Sequence, residues 1–586
     1  MSAKQRLFTS DSSSFEEIRG EGFLYVDKTE YIHNLLTTKG SKNWFLARPR
    51  RFGKTMFIDT LEQLFLGNAY LFNNLYIHSK GYDFEPYPVL RLNMARRADS
   101  TDALNSSIIF HLSEIAAKQE LALKSQNPGD ALEGLIYDFQ KKYDNQRVVV
   151  LIDEYDKPIL DHINKPDLAM EIRDTLRDFY VALKNVEKNL HFVFVTGISK
   201  FAKTAIHSAL NNLKDITHLP LYAGICGFTK TELIDNFYPL FDNILSVLVN
   251  SGILKKGDDH NILVNSILDK YNGYSWDGET KILNPYSINN CFSDNKLDNY
   301  WWDTGPPLLL EHAMSQNPTD YLEPNWSNLL VDDVDKTEIG DLRPVSVLFQ
   351  TGYLTIDTIT TKTTDIIKSD GSKSVKSNTY YSLKIPNDEV LGSYKSGLFK
   401  NIFPLLSDWG VKVSCRDNIT NSIKAKNATE LTEIFQAQLA RIPYTQHSDR
   451  TKMWKYEPKL GEFFFQAVFL SFLDGLGLRV IPEPMSSRGR SDIDIFLDEN
   501  IYVIFELKYI PKEIKEDMLP ENIYKNMDKK ADEAIAQVFK TLQDKKYKNQ
   551  ASQVLVAGLV VYDKDIVYIK FANNMPHCKN WLRLKH

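Results

Sequence analysis

Trp44-Phe45-Leu46-Ala47-Arg48-Pro49-Arg50-Arg51-Phe52-Gly53-Lys54-Thr55 passes from four apolar residues through a basic loop to Gly-Lys-Thr, and a helical apolar pattern follows from Met56 to Phe65. Strand, loop, Gly-Lys-Thr and helix is the order a phosphate-binding loop requires, because the helix N-terminus turns free N–H groups and a positive dipole end toward the phosphates. In that arrangement Arg51, Phe52, Gly53, Lys54 and Thr55 line a nucleotide, Lys54 reaching its β and γ phosphates and Thr55 ligating Mg2+. Against the pattern G-x-x-x-x-G-K-T there is one departure: Arg48 stands where the first glycine belongs. Glycine is favoured there for its backbone freedom. The expectation is therefore a loop of different shape, or weaker nucleotide binding.

Further along, Arg147-Val148-Val149-Val150-Leu151-Ile152-Asp153-Glu154 is a β-branched strand that ends in two carboxylates. Beside a phosphate loop, Asp153 is expected to hold the Mg2+ water shell and Glu154 to activate the attacking water. A third apolar strand, His191 to Val195, ends in Thr196-Gly197-Ile198-Ser199. Thr196 reads equally as a sensor of the γ phosphate and as an ordinary strand-ending turn. Strands alternating with helices up to about residue 225 predict an α/β nucleotide-binding core.

The last quarter holds a second constellation. Gly489-Arg490-Ser491-Asp492 opens one apolar strand, Asp498-Glu499-Asn500 makes a polar turn, and Tyr502-Val503-Ile504-Phe505-Glu506-Leu507-Lys508 forms the next strand. Alternation along a strand puts Glu506 and Lys508 on one side and Phe505 and Leu507 on the other. So short a turn predicts a hairpin that brings Asp492 beside Glu506. Two carboxylates then converge as hard oxygen ligands that suit Mg2+, with Lys508 placed to orient water or offset charge on a phosphorane. Unpaired charges in a strand this apolar cost several kcal/mol, which weighs against an idle charged edge. Asp494 faces the same way as Asp492 and stays open between a second metal ligand and a water-facing residue. The apolar helix Pro458 to Leu473 offers one more carboxylate, Glu462. Leu478 to Ile481 is a strand, Glu521 to Leu542 a lysine-rich helix, and Gln553 to Tyr562 and Ile566 to Phe571 are two final strands.

Helix, three strands, helix, two strands, with G-R-x-D followed by E-x-K, resembles the PD-(D/E)xK nuclease superfamily. That resemblance implies Asp492, Glu506 and Lys508 as the catalytic set, with Glu462 and Gln537 as accessory candidates. Tyr25-Val26-Asp27-Lys28-Thr29, the Arg48 to Lys54 loop, Ile152-Asp153-Glu154-Tyr155-Asp156, Leu210 to Asp215 and Cys226-Gly227-Phe228-Thr229 resemble the signatures of the predicted AAA-ATPase-like family. The likeness continues through Tyr271-Asn272-Gly273-Tyr274, Asn284-Pro285-Tyr286-Ser287, Thr304-Gly305, Gln350-Thr351-Gly352-Tyr353-Leu354 and Pro386-Asn387-Asp388-Glu389-Val390. Members of that family commonly end in a PD-(D/E)xK nuclease. The resemblance implies ATP and Mg2+ as cofactors and a nucleic-acid substrate, DNA rather than RNA.

At 586 residues the chain has room for several domains. The expected division is a nucleotide-binding core over 1–228, a helical lid and winged-helix-like region over 229–392, a helical linker over 393–453 and the nuclease over 454–586. The stretch Asp357 to Thr379, rich in Thr, Ser, Lys and Asp, reads as an exposed hairpin or wing between short strands at Gly352 to Ile356 and Tyr380 to Lys384. Net charge is −6, yet the part from Thr451 onward is slightly basic, which lessens the conflict with a nucleic-acid substrate. Cys226, Cys291, Cys415 and Cys578 lie far apart without paired histidines, against structural zinc and against a disulfide framework. With no long apolar run and a polar amino terminus, a cytoplasmic protein with no membrane partner is expected. The leading expectation is an ATP-binding and ATP-hydrolysing, Mg2+-dependent nuclease regulated by its ATPase module. The alternative is a nucleotide-switched nucleic-acid-binding or signalling protein without efficient cleavage. A homo-oligomer enters if a neighbouring subunit supplies an arginine finger, though no arginine stands out in the sequence.

Overall fold

The structure, a computed structural model, describes residues 14–95, 99–200, 212–301, 309–310, 312–313, 326–335, 339, 342–367, 373–394, 409–440, 458–481, 492–498, 501–511, 520–541, 553–563 and 566–572. The chain divides into two compact units, one of Met1–Ala313 with Trp326–Ser393 and one of Met314–Asn325 with Tyr394–His586.

The first unit is built on a five-stranded, all-parallel sheet. Its strands are β1 (Asn43–Ala47), β2 (Val89–Asn93), β3 (Val148–Asp153), β4 (Leu190–Gly197) and the two-residue β5 (Lys214–Asp215), in the spatial order β2-β3-β4-β1-β5. Every residue of β1 and β3 is buried, which is why both read as unbroken apolar runs and not as alternating ones. One face packs Phe45, Val150, Ile152 and Val193 against the helices Thr101–Lys118, Pro128–Lys142 and Pro166–Asn185. The other face carries Phe192 and Phe194, which meet Phe65 and Phe57 of helix Lys54–Phe65. The strand order sets β1 and β3 either side of β4, so the loop after β1 and the carboxylates ending β3 share the C-terminal edge of the sheet, where open α/β sheets bind ligands.

Four helices follow, Lys230–Phe237, Phe241–Asn250, His260–Tyr271 and Pro285–Asp294. Their core is Phe237, Phe241, Ile244, Leu263, Ile267, Tyr271 and Ile288. The first is started by a capping box in which Thr229 and Glu232 satisfy each other's backbone N–H groups. Beyond them a small antiparallel sheet has the order β6 (Leu329–Leu330), β8 (Lys373–Lys384), β7 (Thr355–Ile367). The expected wing is longer and more regular than the sequence reading allowed, since β7 and β8 run through most of Asp357 to Thr379 in continuous pairing. The threonines there are β-branched and favour strand even with no core to face.

The second unit contains a mixed sheet ordered β13-β12-β11-β10-β9, from β9 (Arg479–Ile481), β10 (Asp492–Asp498), β11 (Ile501–Ile510), β12 (Gln553–Tyr562) and β13 (Ile566–Phe571). Antiparallel hairpins flank one parallel pair, β11 with β12. Helix Pro458–Gly475 covers one face, where Phe435, Phe469 and Phe505 meet. Helix Pro520–Thr541 covers the other through Ile535 and Val538 on Tyr502 and Ile504. A Cβ at Gly558 would lie 2.5 Å from the Ala531 carbonyl, so only glycine in β12 lets that helix lie so close.

Candidate functional site

The loop from Arg48 to Gly53 is shaped by two left-handed residues, Arg51 at φ 66° and Gly53 at φ 89°. Alternation of φ sign along a backbone folds successive N–H groups into an anion-binding concavity. The amides of Arg50, Phe52, Gly53, Lys54 and Thr55 donate to no other group among the described residues. Helix Lys54–Phe65 adds its dipole at the same point.

Arg48, the departure from the glycine pattern, is resolved by where its side chain goes. Its φ is not in the left-handed region, so a side chain there costs no backbone strain. The guanidinium is buried and turned out of the loop, donating to the carbonyls of Ala47 at 2.9 Å, Thr217 at 2.8 Å and Tyr222 at 3.2 Å. It also lies 4.1 Å from the centre of the Trp276 ring. Two other loop residues are diverted as well. Arg51 donates to the Tyr300 carbonyl at 2.8 Å and stacks on Tyr286, while the Phe52 ring is fully buried against Tyr274 and Trp276. Only the main chain of Phe52 is left to face a phosphate, a role its sequence position did not distinguish from a side-chain contact.

Lys54 is buried and its ammonium donates to the carbonyls of Arg48 at 2.9 Å and Pro49 at 2.8 Å. Burial pushes its pKa down, opposed chiefly by the charge of Asp153. Asp153 is fully buried; one oxygen accepts from the Glu154 amide at 2.9 Å. Its other oxygen, Oδ2, is buried with no hydrogen-bond partner among the described residues. A carboxylate oxygen orphaned beside a lysine and a helix N-terminus suits a divalent cation or its water shell, and Thr55 is half-buried at the start of that helix. Glu154 has φ 51°, in the left-handed region that non-glycine residues seldom adopt. Burial, and then the neighbouring Asp153 charge, raise its pKa above the ordinary glutamate range.

Thr196 is buried, and its hydroxyl donates to the Leu46 carbonyl of β1 at 2.7 Å. Asp156 is a residue whose role the sequence did not reveal. It accepts from the amides of Ile198 and Ser199 and from the Ser199 hydroxyl at 2.6 Å, tying the end of β4 to the segment after β3. Lys200, next in line, reaches Asp335 at 2.7 Å, and His218 contacts the same carboxylate at 3.1 Å. Glu389, also buried, accepts from Ser287 at 2.8 Å and from the amides of Tyr300 and Trp301 at 2.7 and 2.9 Å. It therefore anchors the very segment that Arg51 grips.

In the second unit the ladder pairs Asp492 with Glu506 directly across β10 and β11. Glu506 is 1% exposed, and the Lys508 ammonium sits 3.2 Å from its Oε1. Gly489, Arg490, Ser491, the Glu499-Asn500 turn and the Asp492 side chain lie outside the described residues. No group of three His, Cys, Asp or Glu side chains able to hold a metal occurs among the described residues. The fit to a cation accordingly rests on a buried carboxylate and a second one in register. Glu462 accepts from the Tyr509 amide at 3.4 Å, three residues past Glu506. Its helix comes that close because Gly461 lies against the Tyr509 ring, where a Cβ would approach to 2.5 Å. Gln537 is half-buried on the helix over the opposite face, so the two accessory candidates come from opposite sides of the sheet. Asp494 does not face water: it is 1% exposed and accepts a short hydrogen bond from the Tyr502 hydroxyl. Lys545, Lys546 and Lys548 lie outside the described residues, and Lys525 and Lys529 are exposed on helix Pro520–Thr541.

Comparisons with known proteins agree with both halves. Residues 11–207 match a family model described as Predicted AAA-ATPase, and residues 460–571 match the PD-(D/E)XK nuclease superfamily. A relative from Azotobacter chroococcum mcd 1, described as "Uncharacterized protein in vnfD 5'region", is 30% identical over 505 residues, spanning 85% of this chain and 88% of the relative. No solved structure matches the chain.

Proposed function

Because the chain belongs to the predicted AAA-ATPase-like family and carries a C-terminal PD-(D/E)XK nuclease superfamily domain, we propose that it is an ATP-hydrolysing, Mg2+-dependent nuclease that cuts DNA under control of its nucleotide state. The observation that carries the cleavage reading is the cross-strand pairing of Asp492 with Glu506, beside a lysine 3.2 Å from that buried carboxylate. A divalent cation bound at each site would neutralise phosphate charge and acidify a coordinated water. Asp492 and Glu506 would hold it in the second unit, and Asp153 with Thr55 in the first. Lys508 orients the attacking water or offsets charge that develops on the phosphate. Lys54 and the free loop amides position the polyphosphate, and Glu154 takes the proton of the water that attacks it. Glu462 supports the carboxylate end of β11 through the Tyr509 amide.

The alternative, nucleotide-switched binding without efficient cleavage, drew its support from Arg48. The unstrained backbone and diverted side chain at that position weigh against that reading. The test is incubation of the purified protein with plasmid and linear DNA and Mg2+, with and without ATP. Wild type is expected to cut and Lys508→Ala is not; cutting that persists in the variant rejects the site. We place the protein in the cytoplasm, in line with the lack of any helix among the described residues long and apolar enough to cross a membrane.

A further inference from the structure

The phosphate loop carries four cations, and the structure accounts for three of them. Arg48 is committed to the carbonyls of Ala47, Thr217 and Tyr222. Arg51 is committed to Tyr300 and to the Tyr286 ring. Lys54 lies along the loop, bonded to the carbonyls of Arg48 and Pro49 and under the field of Asp153. Arg50 is different. It is half-buried, between Pro49 and the left-handed Arg51, and makes no hydrogen bond, ion pair or ring contact with any described residue.

A half-buried guanidinium with five donors and no acceptor is an unusual thing to keep in a loop unless a ligand completes it. What surrounds it selects that ligand. The same loop presents the free amides of Arg50, Phe52, Gly53, Lys54 and Thr55, and the fully buried Asp153 aims an orphaned oxygen at the lysine end of it. Amides and the helix dipole suit the inner phosphates of a nucleotide, which they can wrap closely. The terminal phosphoryl group has three oxygens and the most charge, and it needs a cation besides Lys54 when it is transferred to water. A guanidinium can bond two of those oxygens in one plane, as an ammonium cannot.

We propose that Arg50 contacts the terminal phosphoryl group of bound ATP, so that the loop supplies its own arginine to the transition state and discriminates ATP from ADP. This rests on the reading of the first unit as a nucleotide site. It also removes the need for an arginine from a neighbouring subunit, the reason for which the sequence alone kept a homo-oligomer open.

The experiment measures ATP and ADP affinity by calorimetry, and Mg2+-ATP turnover, for the full chain as wild type, Arg50→Ala, Arg50→Lys and Lys54→Ala. Arg50→Ala is expected to weaken ATP binding roughly tenfold or more while leaving ADP binding within about twofold, and to slow turnover about a hundredfold or more. Arg50→Lys recovers affinity in part and turnover hardly at all, because the ammonium restores charge without the planar fork. Wild-type turnover per molecule stays constant on dilution. Because Arg50 has no described partner, thermal melting of Arg50→Ala matches wild type, which separates loss of contact from loss of fold. A variant that keeps the full preference for ATP, or wild-type turnover that collapses on dilution, overturns the proposal. The nucleotide reading fails separately, when Lys54→Ala binds both nucleotides as wild type does.

Discussion

The Tyr502 hydroxyl donates to the Asp494 carboxylate inside the second unit, with Tyr502 fully buried and Asp494 1% exposed. Asp494 lies two residues along β10 from Asp492, and its ladder partner is Ile504, not Glu506. A carboxylate held this way braces the strand that carries Asp492. Asp494→Asn is therefore expected to keep DNA cleavage within about tenfold, because the amide oxygen still accepts from Tyr502, whereas Asp492→Asn loses about a hundredfold or more. Equal losses in the two variants, read as nicked plasmid per unit time, would put Asp494 among the metal ligands.

Glu154 gives a pH dependence with a defined sign. Burial and the Asp153 charge raise its pKa, and only the ionised carboxylate can take a proton from water. ATP turnover falls as pH is lowered, and it does so at a higher pH than an ordinary glutamate near about 4.3 would impose. Glu154→Gln lowers turnover about 10²–10⁴-fold and erases that acid limb while ATP binding persists. A variant that turns over at the wild-type rate rejects Glu154 as the base.

Restoring glycine at position 48 is a sharper test of the loop than any deletion. Arg48→Gly discards three hydrogen bonds to carbonyls and the contact with Trp276, and leaves buried acceptors behind. The expected result is a loss of about 3 kcal/mol or more in stability, seen as a lower denaturation midpoint, with no gain in ATP turnover. A variant both stable and faster would show that the arginine is a handicap and not a brace.

Asp335 ties acid stability to the joint between β4 and the small antiparallel sheet. Burial alone pushes its carboxyl up, but His218 and Lys200 outweigh burial and hold it well below the usual carboxylate range. A depressed folded pKa contributes stability that is complete above the unfolded value near about 3.9 and is lost as pH falls below it. Asp335→Asn leaves Lys200, whose side chain is 6% exposed, with Asp215 at 3.4 Å as its remaining described carboxylate. Denaturant melts near neutral pH should register a loss of roughly 3–5 kcal/mol, shrinking as the wild type is acidified. A difference between the two proteins that does not narrow on acidification contradicts the assignment.

The elements were legible because their signals are local. Val148 to Ile152 could only be a strand buried on both faces, and the polar residues after Asp498 announced a hairpin, whereas the register shift between Phe496 and Asp498, which sets Asp492 against Glu506 instead of Leu507, has no signal in the sequence. What the sequence concealed is long-range and lacks side-chain identity. Arg48 is anchored by the carbonyls of Thr217 and Tyr222, and every residue owns a carbonyl. The same holds for Thr196, whose hydroxyl is taken by Leu46 on the neighbouring strand. Glu389 stands in sequence only within the family-like Pro386 to Val390 segment, and nothing in its neighbours announces that it accepts from the amides of Tyr300 and Trp301, the segment gripped by Arg51. The β7–β8 hairpin was underestimated for the opposite reason, since threonine's preference for strand was outweighed in the reading by its polarity.

A Cβ at Gly352 would come within 2.8 Å of Pro49, and Arg51 reaches forward to Tyr300. On the ribosome this inverts the usual order of events, in which an N-terminal domain matures as soon as it emerges. The strand leading into the loop appears among the first residues, but its props arrive only after hundreds more have been added, on the order of tens of seconds at roughly 5–20 residues per second. Throughout that interval the nascent polypeptide holds its Gly-Lys-Thr without the mould that shapes it. A half-made chain thus carries the loop unshaped until the residues around Tyr300 and Gly352 have been added.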